Sequence, residues 1–443
     1  MSIPLRNTRR KRRRSYADYP PKRRKPSGPR SDPFRVILYL VLIAGCVWVY
    51  FNQETARSFM ANTLRGPQPA ATQQADSSTA PELEAASQQA ASAEELAAQA
   101  EGFYREGQLV EAVALYEQAA ELSPNTIDYY VQAARLYLFQ AAMQYGDSRE
   151  ETLALAAKAA ERAILADPFS PEGYAISGKV QDWQGDAEQA LSTIRRALEI
   201  NERYPLAQSY YAEALIDLAR WDQARESIQF ALELAPDHVD VRRDYAYILE
   251  SLADYNAAAT QYEAALALHP NLPFLRMALA RSYRQLERYD EALDIFFEVQ
   301  VVQPNNALIP YEIGRTYETY IGDPNSALEY FQQAVTLDEN FSTPWIRIGT
   351  IRYLQGSYNQ AIPSYERAIE LGVENADLYL QLGMSYALEG QCGQAVRNLQ
   401  EAQNRAEGDQ RILDIAAEGF TICEQPTPVP VDVLGTPTVQ PTP

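Results

Sequence analysis

Small and large apolar residues alternate along residues 92–408 with helical spacing and, on a longer scale, return every 34 residues. Counted from the first helical position, the repeats start at Ala93, Ile127, Pro171, Pro205, Val239, Pro273, Ala307, Ser342 and Ala376. Two steps depart from 34: ten extra residues fall in the second repeat, around Gln140 to Thr152, and one falls in the seventh, near Asp323. Position 8 is never larger than alanine (Ala100, Ala134, Gly178, Ala212, Ala246, Ala280, Gly314, Gly349 and Gly383), and position 20 is alanine throughout. Helices that cross closely need small residues at the crossing, so the pattern predicts one antiparallel hairpin built nine times. Larger side chains surround the crossing, among them Tyr116, Tyr262, Phe296, Phe331, Tyr365 and Leu399 at position 24. Pro124, Pro168, Pro236, Pro270 and Pro304 close five of the repeats, where proline ends one helix and admits the next turn.

These residues resemble the tetratricopeptide repeat (TPR) family, whose pattern asks for a bulky residue, x2, Leu-Gly, x2 and Tyr, followed by Ala, Phe, Ala and Pro. The eighth repeat answers with Trp345, Ile348, Gly349, Ala361, Tyr365 and Ala368, and the ninth with Tyr379, Leu382, Gly383, Tyr386 and Ala395. The chain departs from the pattern at Glu202, Glu339, Val373 and Glu407, which replace the closing proline, and at Pro310, which takes the bulky fourth position of the seventh repeat. The resemblance implies an all-α fold, a right-handed superhelix (α-solenoid) over 93–408 of about nine helix-turn-helix repeats. One hairpin cannot bury its apolar face alone, so the last repeat needs a cover. Residues 409–423 suit a cap helix, with Ile412, Leu413, Ile415 and Ala416 on one side and Arg411, Asp414 and Glu418 on the other.

Charge divides the chain. Residues 1–35 hold thirteen Lys or Arg against two Asp, a local charge of +11, so residues 36–443 carry −31 of the formal total of −20. Residues 1–33, with basic clusters at Arg9 to Arg14 and Lys22 to Lys25, form a proline-rich arm that cannot bury a core and is expected to be disordered. The uncharged run from Val36 to Phe51 follows, and with its flanks it predicts a single transmembrane anchor over 34–53 ahead of the solenoid. A cleaved signal peptide fits less well, because Glu54 and Phe59 spoil the small-x-small sites ending at Ala56 and Ala61. The positive-inside rule then puts the N-terminus in the cytoplasm and the repeats on the extracytoplasmic side of the cell membrane. The opposite topology is the alternative, with the repeats as a cytoplasmic adaptor for a membrane-bound enzyme complex. Residues 54–92 are an Ala/Gln/Ser/Pro-rich flexible linker whose last ten residues are open to helix, and 424–443 a Pro/Thr-rich disordered tail.

Candidate chemistry is sparse. Gly173 to Lys179 has the glycine and lysine spacing of a phosphate loop, but Val180 stands where Ser or Thr is required and the stretch sits inside a helix. His238 and His269 lie beside inter-repeat turns, 31 residues apart, and read as solvated polar residues. The three cysteines, Cys46, Cys392 and Cys423, contain no CxxC pair and so no zinc ribbon. If the cap packs as the first helix of a further unit, Cys423 comes beside Cys392, and a disulfide is geometrically allowed; two separate thiols are the alternative.

In the resembled family, positions 2, 5, 9 and 12 of the first helices line the concave side. Repeats five to seven place there Asp240, Arg243, Tyr247 and Glu250, then Phe274, Met277, Arg281 and Arg284, then Leu308, Tyr311, Arg315 and Glu318. Guanidinium groups bind carboxylates bidentately and the aromatic and Met side chains supply apolar contact, which makes Arg243, Tyr247, Phe274, Met277, Arg281, Arg284, Tyr311 and Arg315 the candidate partner-binding residues. Internal ion pairing with Glu250, Glu318 or neighbouring helices is the competing account. The lysine and asparagine set of the family's chaperone-binding clamps is not reproduced at these positions. The function expected is that of a non-catalytic, membrane-tethered scaffold for a protein or peptide partner, with no catalytic residue, metal, cofactor or specific nucleic acid; an enzyme subunit is the remote alternative.

Overall fold

Helix boundaries are set by local chemistry in the turns. Pro171, Pro205 and Pro273 occupy first helical positions, where the missing N–H costs nothing. The Ser170, Asp186, Asp254 and Asn375 side chains accept hydrogen bonds from the first free N–H groups of their helices. The computed structural model describes residues 79–424, with side chains from residue 88 onward. Within them the chain runs through α1 (Thr79–Arg105) and α2 (Leu109–Leu122), α3 (Ile127–Ala141) and α4 (Gly146–Ala166), α5 (Pro171–Trp183) and α6 (Ala187–Ile200). It continues through α7 (Pro205–Asp217) and α8 (Trp221–Leu234), α9 (Val239–Ser251) and α10 (Tyr255–Leu268), α11 (Pro273–Gln285) and α12 (Tyr289–Val302). The last hairpins are α13 (Leu308–Arg315) with α14 (Pro324–Leu337), α15 (Ser342–Leu354) with α16 (Tyr358–Glu370), and α17 (Ala376–Leu388) with α18 (Cys392–Asn404). A final helix, α19 (Gln410–Glu424), packs on both α17 and α18. No strand occurs among the described residues.

Each first helix packs on its own second helix, and each second helix packs on the first helix of the next repeat. The small residues sit at the crossings: a Cβ on Gly314 would lie 2.7 Å from the Phe331 ring, and one on Gly383 2.8 Å from Leu399 Cγ. The position-24 side chains Ile194, Ile228, Phe296, Phe331 and Tyr365 are fully buried against them. Each such side chain contributes about 1.5–3 kcal/mol by leaving water, and neither half of a hairpin could bury it alone.

The first helix begins at Thr79, ahead of Ala93, so the end of the 54–92 linker region is helical. The basic arm at 1–33, the membrane span at 34–53, the rest of the linker up to residue 78 and the tail beyond Glu424 lie outside the described residues. Among the described residues no helix is long and apolar enough to cross a membrane. The single extra residue of the seventh repeat does not loop out near Asp323. It is absorbed by a π-helical turn, Thr316–Ile321, in which Gly322 N–H donates to the Tyr317 carbonyl at 2.8 Å.

The ten-residue insertion has the larger consequence. It lengthens α4 to 21 residues and forms an elbow that reaches across the inside of the solenoid. There the Tyr145 ring stacks on Phe341 at 3.6 Å and its hydroxyl donates to Asp338 at 2.7 Å. Asn306 donates from Nδ2 to the Met143 carbonyl at 3.1 Å. Further contacts link the first two repeats to the fifth and sixth: Phe139 stacks on Phe274 at 4.3 Å, Tyr104 meets His269 at 4.7 Å, and Asn271 Nδ2 donates to the Arg105 carbonyl at 3.1 Å. His269 is therefore part of a closing contact and not a merely solvated residue. The concave side over these repeats is not the open groove expected; the chain's own early repeats fill much of it.

Tyr145→Ala removes one stacked pair and one hydrogen bond, together about 1–3 kcal/mol. Hydrogen exchange followed by mass spectrometry should show faster exchange at residues 142–148 and 338–345, with α8 and α10 unchanged; uniform acceleration would mean that the elbow does not act as a separate closing contact.

Candidate functional site

The inner face carries an unusual amount of buried charge. Arg135 on α3 donates from Nε and Nη2 to both carboxylate oxygens of Asp240 on α9, at 2.6 and 2.7 Å, across 105 residues of chain. Its Nη2 also donates to the Tyr104 hydroxyl, and Tyr210 donates to Asp240 at 3.0 Å. Beside this pair, Lys179 on α5 is bonded to Glu213 on α7 and, at 3.0 Å, to Asp244 on α9. Arg243 bonds the same two carboxylates, Ser209 donates to Asp244 at 2.7 Å, and the Trp183 indole N–H donates to Glu213 at 2.8 Å. The three cations Arg135, Lys179 and Arg243 thus balance Asp240, Asp244 and Glu213.

Electrostatics follow the pairing. Burial pushes the Asp240 carboxyl up, but the Arg135 guanidinium more than offsets it and holds the group well below the usual carboxylate range. Burial likewise works against Glu213, yet Arg243 and Lys179 bring it down to about 2. Burial and the Glu213 charge raise Asp244 to about 6. Lys179 therefore has a structural task, and the phosphate-loop spacing around it has none.

Next to this network lies a cavity of about 470 Å³. Trp183, Tyr247, Tyr262 and Phe274 form its apolar lining, and Arg149, Arg243 and Arg281 bring positive charge to it. Its carboxylates are Asp182, Glu213, Asp217 and Glu250. The elbow residues Ala141 and Ala142 close one side. Tyr247 donates to Asp217 at 2.8 Å, and Glu250 accepts from Tyr262 at 2.9 Å and from Ser282 at 2.6 Å.

Of the sequence-derived candidates, Arg243, Tyr247, Phe274 and Arg281 line this cavity. Met277 and Arg284 do not, and both are buried. Arg284, 2% exposed at its side chain, donates to Glu312 at 2.7 Å, which makes it an internal ion-pair member with nothing to offer a partner. Phe274 is largely covered by Phe139. Arg281 and Arg315 keep 37% and 31% of their side chains exposed and approach the same Glu312 at 3.9 and 3.5 Å. Tyr311 is half-buried with Arg315 over its ring at 5.9 Å. The ion-pair partners are Glu213, Asp244 and Glu312; Glu250 bonds hydroxyls, and Glu318 pairs with Arg347 at 3.7 Å. Cys392 and Cys423 are joined in a disulfide with Cα atoms 5.4 Å apart, tying α19 to the first residue of α18. The sequence reading of repeats five to seven missed Arg135, Lys179, Asp182 and Glu213, although they occupy positions 9, 9, 12 and 9 of repeats two to four. Following the same slots upstream would have found them.

Removing Arg135 while leaving Asp240 strands a buried charge, so Arg135→Met should cost about 3–5 kcal/mol in denaturant unfolding, whereas Arg135→Met/Asp240→Leu should recover most of it. Equal losses in the two variants would show that the pair is not the source. Asp182 behaves oppositely to Asp240, because burial and the Glu213 charge raise its carboxyl to about 8. An acid whose folded pKa is raised contributes less stability as pH climbs from its unfolded value, about 4, to the folded one. Asp182→Asn should therefore raise the melting temperature at pH 8 and leave it nearly unchanged at pH 4; a pH-independent difference would contradict the assignment.

Four segments match family models: residues 184–243, 249–307 and 311–341 match models described as tetratricopeptide repeat, and 349–390 one described as TPR repeat. A curated protein, Hsp70-Hsp90 organizing protein 3 of Arabidopsis thaliana, is 29% identical over 107 residues, 24% of this chain. The match spans 17% of that relative's own length. Among solved structures, a tetratricopeptide repeat protein from Parabacteroides merdae is 17% identical with a TM-score of 0.40, covering 58% of this chain and 98% of its own. The pilF protein of Pseudomonas aeruginosa is 18% identical with a TM-score of 0.36, covering 56% and 97%. The four family matches fall on hairpins that share one period and small residues at their crossings, and within residues 184–390 the chain is built of tetratricopeptide repeats.

Proposed function

We propose that this chain is a non-catalytic interaction scaffold that holds a segment of a protein partner on the inner face of its solenoid. The observation that carries this reading is the 470 Å³ cavity, in which aromatic rings and charged groups converge at the mouth of an otherwise self-filled groove. Arg281 and Arg315 sit where a partner carboxylate can reach them: both remain partly exposed while Glu312, the carboxylate they share, is already bonded by Arg284. No group of three or more His, Cys, Asp or Glu suited to a metal ion occurs among the described residues.

The scaffold is further proposed to be tethered through residues 34–53, with the repeats extracytoplasmic. The basic residues before that span support the orientation. The Cys392–Cys423 bond supports it independently, since disulfides persist in oxidising compartments.

Crosslinking the full-length chain in intact cells, followed by mass spectrometry, tests the binding surface. Arg281→Glu/Arg315→Glu should lose the captured partners at least tenfold while the melting temperature stays close to that of the parent, because neither arginine is buried; an unchanged partner set would remove this face as the binding site. Arg284 is not a suitable probe, since reversing its charge would set a second buried carboxylate against Glu312. Thiol alkylation in the same cells should reach Cys392 and Cys423 only after a reductant is added, and alkylation without it would refute the extracytoplasmic placement.

A further inference from the structure

The charge matching of the inner face ends at the sixth repeat. Upstream, Arg135, Lys179 and Arg243 are balanced by Asp240, Asp244 and Glu213. In repeats six to eight, four arginines meet two carboxylates: Arg281 and Arg284 on α11, Arg315 on α13 and Arg347 on α15 surround Glu312 and Glu318. Four charges against two leave this group positive, in a chain whose formal net charge is −20. Glu250, the next carboxylate toward the fifth repeat, is taken up by the Tyr262 and Ser282 hydroxyls.

The excess charge lies at the surface. Side-chain exposure is 37% for Arg281, 31% for Arg315 and 41% for Arg347, against 7% for Glu312 and 17% for Glu318, so the carboxylates sit beneath a layer of guanidinium groups. The close bond to Glu312, at 2.7 Å, comes from the buried Arg284. The exposed arginines approach their carboxylates at 3.9, 3.5 and 3.7 Å. Those contacts exceed the roughly 2.7–3.2 Å of a normal N–H···O bond and leave most guanidinium donors to a ligand. Arg281 and Arg315 share Glu312 and form one anion site; Arg347 over Glu318 forms a second on the following repeat. Neighbouring helix axes lie about 10 Å apart, farther than one oxyanion spans and about the rise of three extended residues. The half-buried Tyr311 lies beside Arg315 and Arg347 and offers apolar surface at the same place.

We propose that repeats six to eight bind an acidic segment of the partner in extended form, its side-chain carboxylates filling the Arg281–Arg315 and Arg347 sites together. The inference rests on the inner face being the partner site and adds the chemistry of what the partner presents there. A single exposed ion pair is worth little, so selectivity comes from filling both sites at once. Guanidinium forks suit the planar carboxylate. A cationic segment would meet three exposed guanidinium groups before it reached either glutamate. The carboxylates are those of side chains, so a segment from the middle of a partner serves as well as its end.

The test is isothermal titration calorimetry of the full-length chain in a nonionic detergent. The probes are the capped peptide acetyl-Glu-Ala-Glu-Ala-Glu-amide and its glutamine counterpart. At low ionic strength the glutamate peptide should bind saturably and about tenfold more tightly than the glutamine peptide, a preference that shrinks as salt is added. Arg347→Gln should lose most of the preference while the melting temperature stays close to the parent's, because the side chain is exposed. Arg276→Gln, which removes a charge paired with Glu298 elsewhere on α11, should keep it. Equal binding of the two peptides by the parent chain, a preference that survives Arg347→Gln, or the same loss in Arg276→Gln overturns the inference. So does displacement of the glutamate peptide by an equimolar amount of inorganic phosphate, which would make each site one for a lone compact anion. Partner capture that depends on Arg281 and Arg315 without a glutamate preference would sink this inference alone; a glutamate preference without partner capture would sink the scaffold reading alone.

Discussion

The closure of the solenoid across its own inner face is the constraint on which the rest of the structure depends, and the Arg135–Asp240 pair is its centre. Two charges removed from water are costly, and their attraction offsets that cost only when both carboxylate oxygens and the guanidinium donors are satisfied together. Here both Asp240 oxygens are bonded by Arg135, one of them also by Tyr210, and Tyr104 completes the arginine. That geometry is met in a single register of α3 against α9. Sliding the early repeats along the groove would leave a buried charge without its partner.

The cavity is a consequence of this closure. An open TPR groove is a long concave surface, whereas here α3 and the elbow before α4 occupy much of it and leave a half-open pocket beside Trp183 and Tyr247. The same contacts change the mechanics of the array. An ordinary solenoid is held by nearest-neighbour interfaces alone. Repeats one and two instead touch repeats five to seven through Tyr104, Phe139 and Tyr145, which couples distant hairpins. The ninth repeat has no such long-range contact in these aromatic pairs, and its end is secured differently, by α19 and the Cys392–Cys423 bond.

Guanidinium groups count toward a ligand only if they are not already committed. Arg243 and Arg284 are committed to Glu213, Asp244 and Glu312, while Arg281 and Arg315 share a carboxylate already held by a third arginine and stay available at the rim. Asp182, conversely, has no donor among the described residues. The inner charges are therefore mostly matched and the available arginines lie at the rim, a difference that no inventory of residue types conveys.

The hairpin and its period were legible in the sequence because they depend on local sterics: position 8 must be small where helices cross, and Gly314, Gly349 and Gly383 stand at three such crossings. Part of the cavity lining was legible on the same basis, since position within a repeat sets which side of a helix a residue occupies. Arg243, Tyr247, Phe274 and Arg281 were found that way, and Asp182 occupies the same slot as Glu250. What periodicity could not convey was whether an inward residue meets solvent or another repeat, because that depends on contacts such as Arg135 to Asp240, 105 residues apart, and on the path of the inserted elbow. The sequence by itself determined the repeat, the hairpin packing and the inward-facing slots, all governed by neighbours within one or two helices. Only the tertiary structure decided that Arg284 and Met277 are buried, that Arg281 and Arg315 stay reachable and that Asp182 is left without a donor, since burial and pairing are set by the superhelical path as a whole.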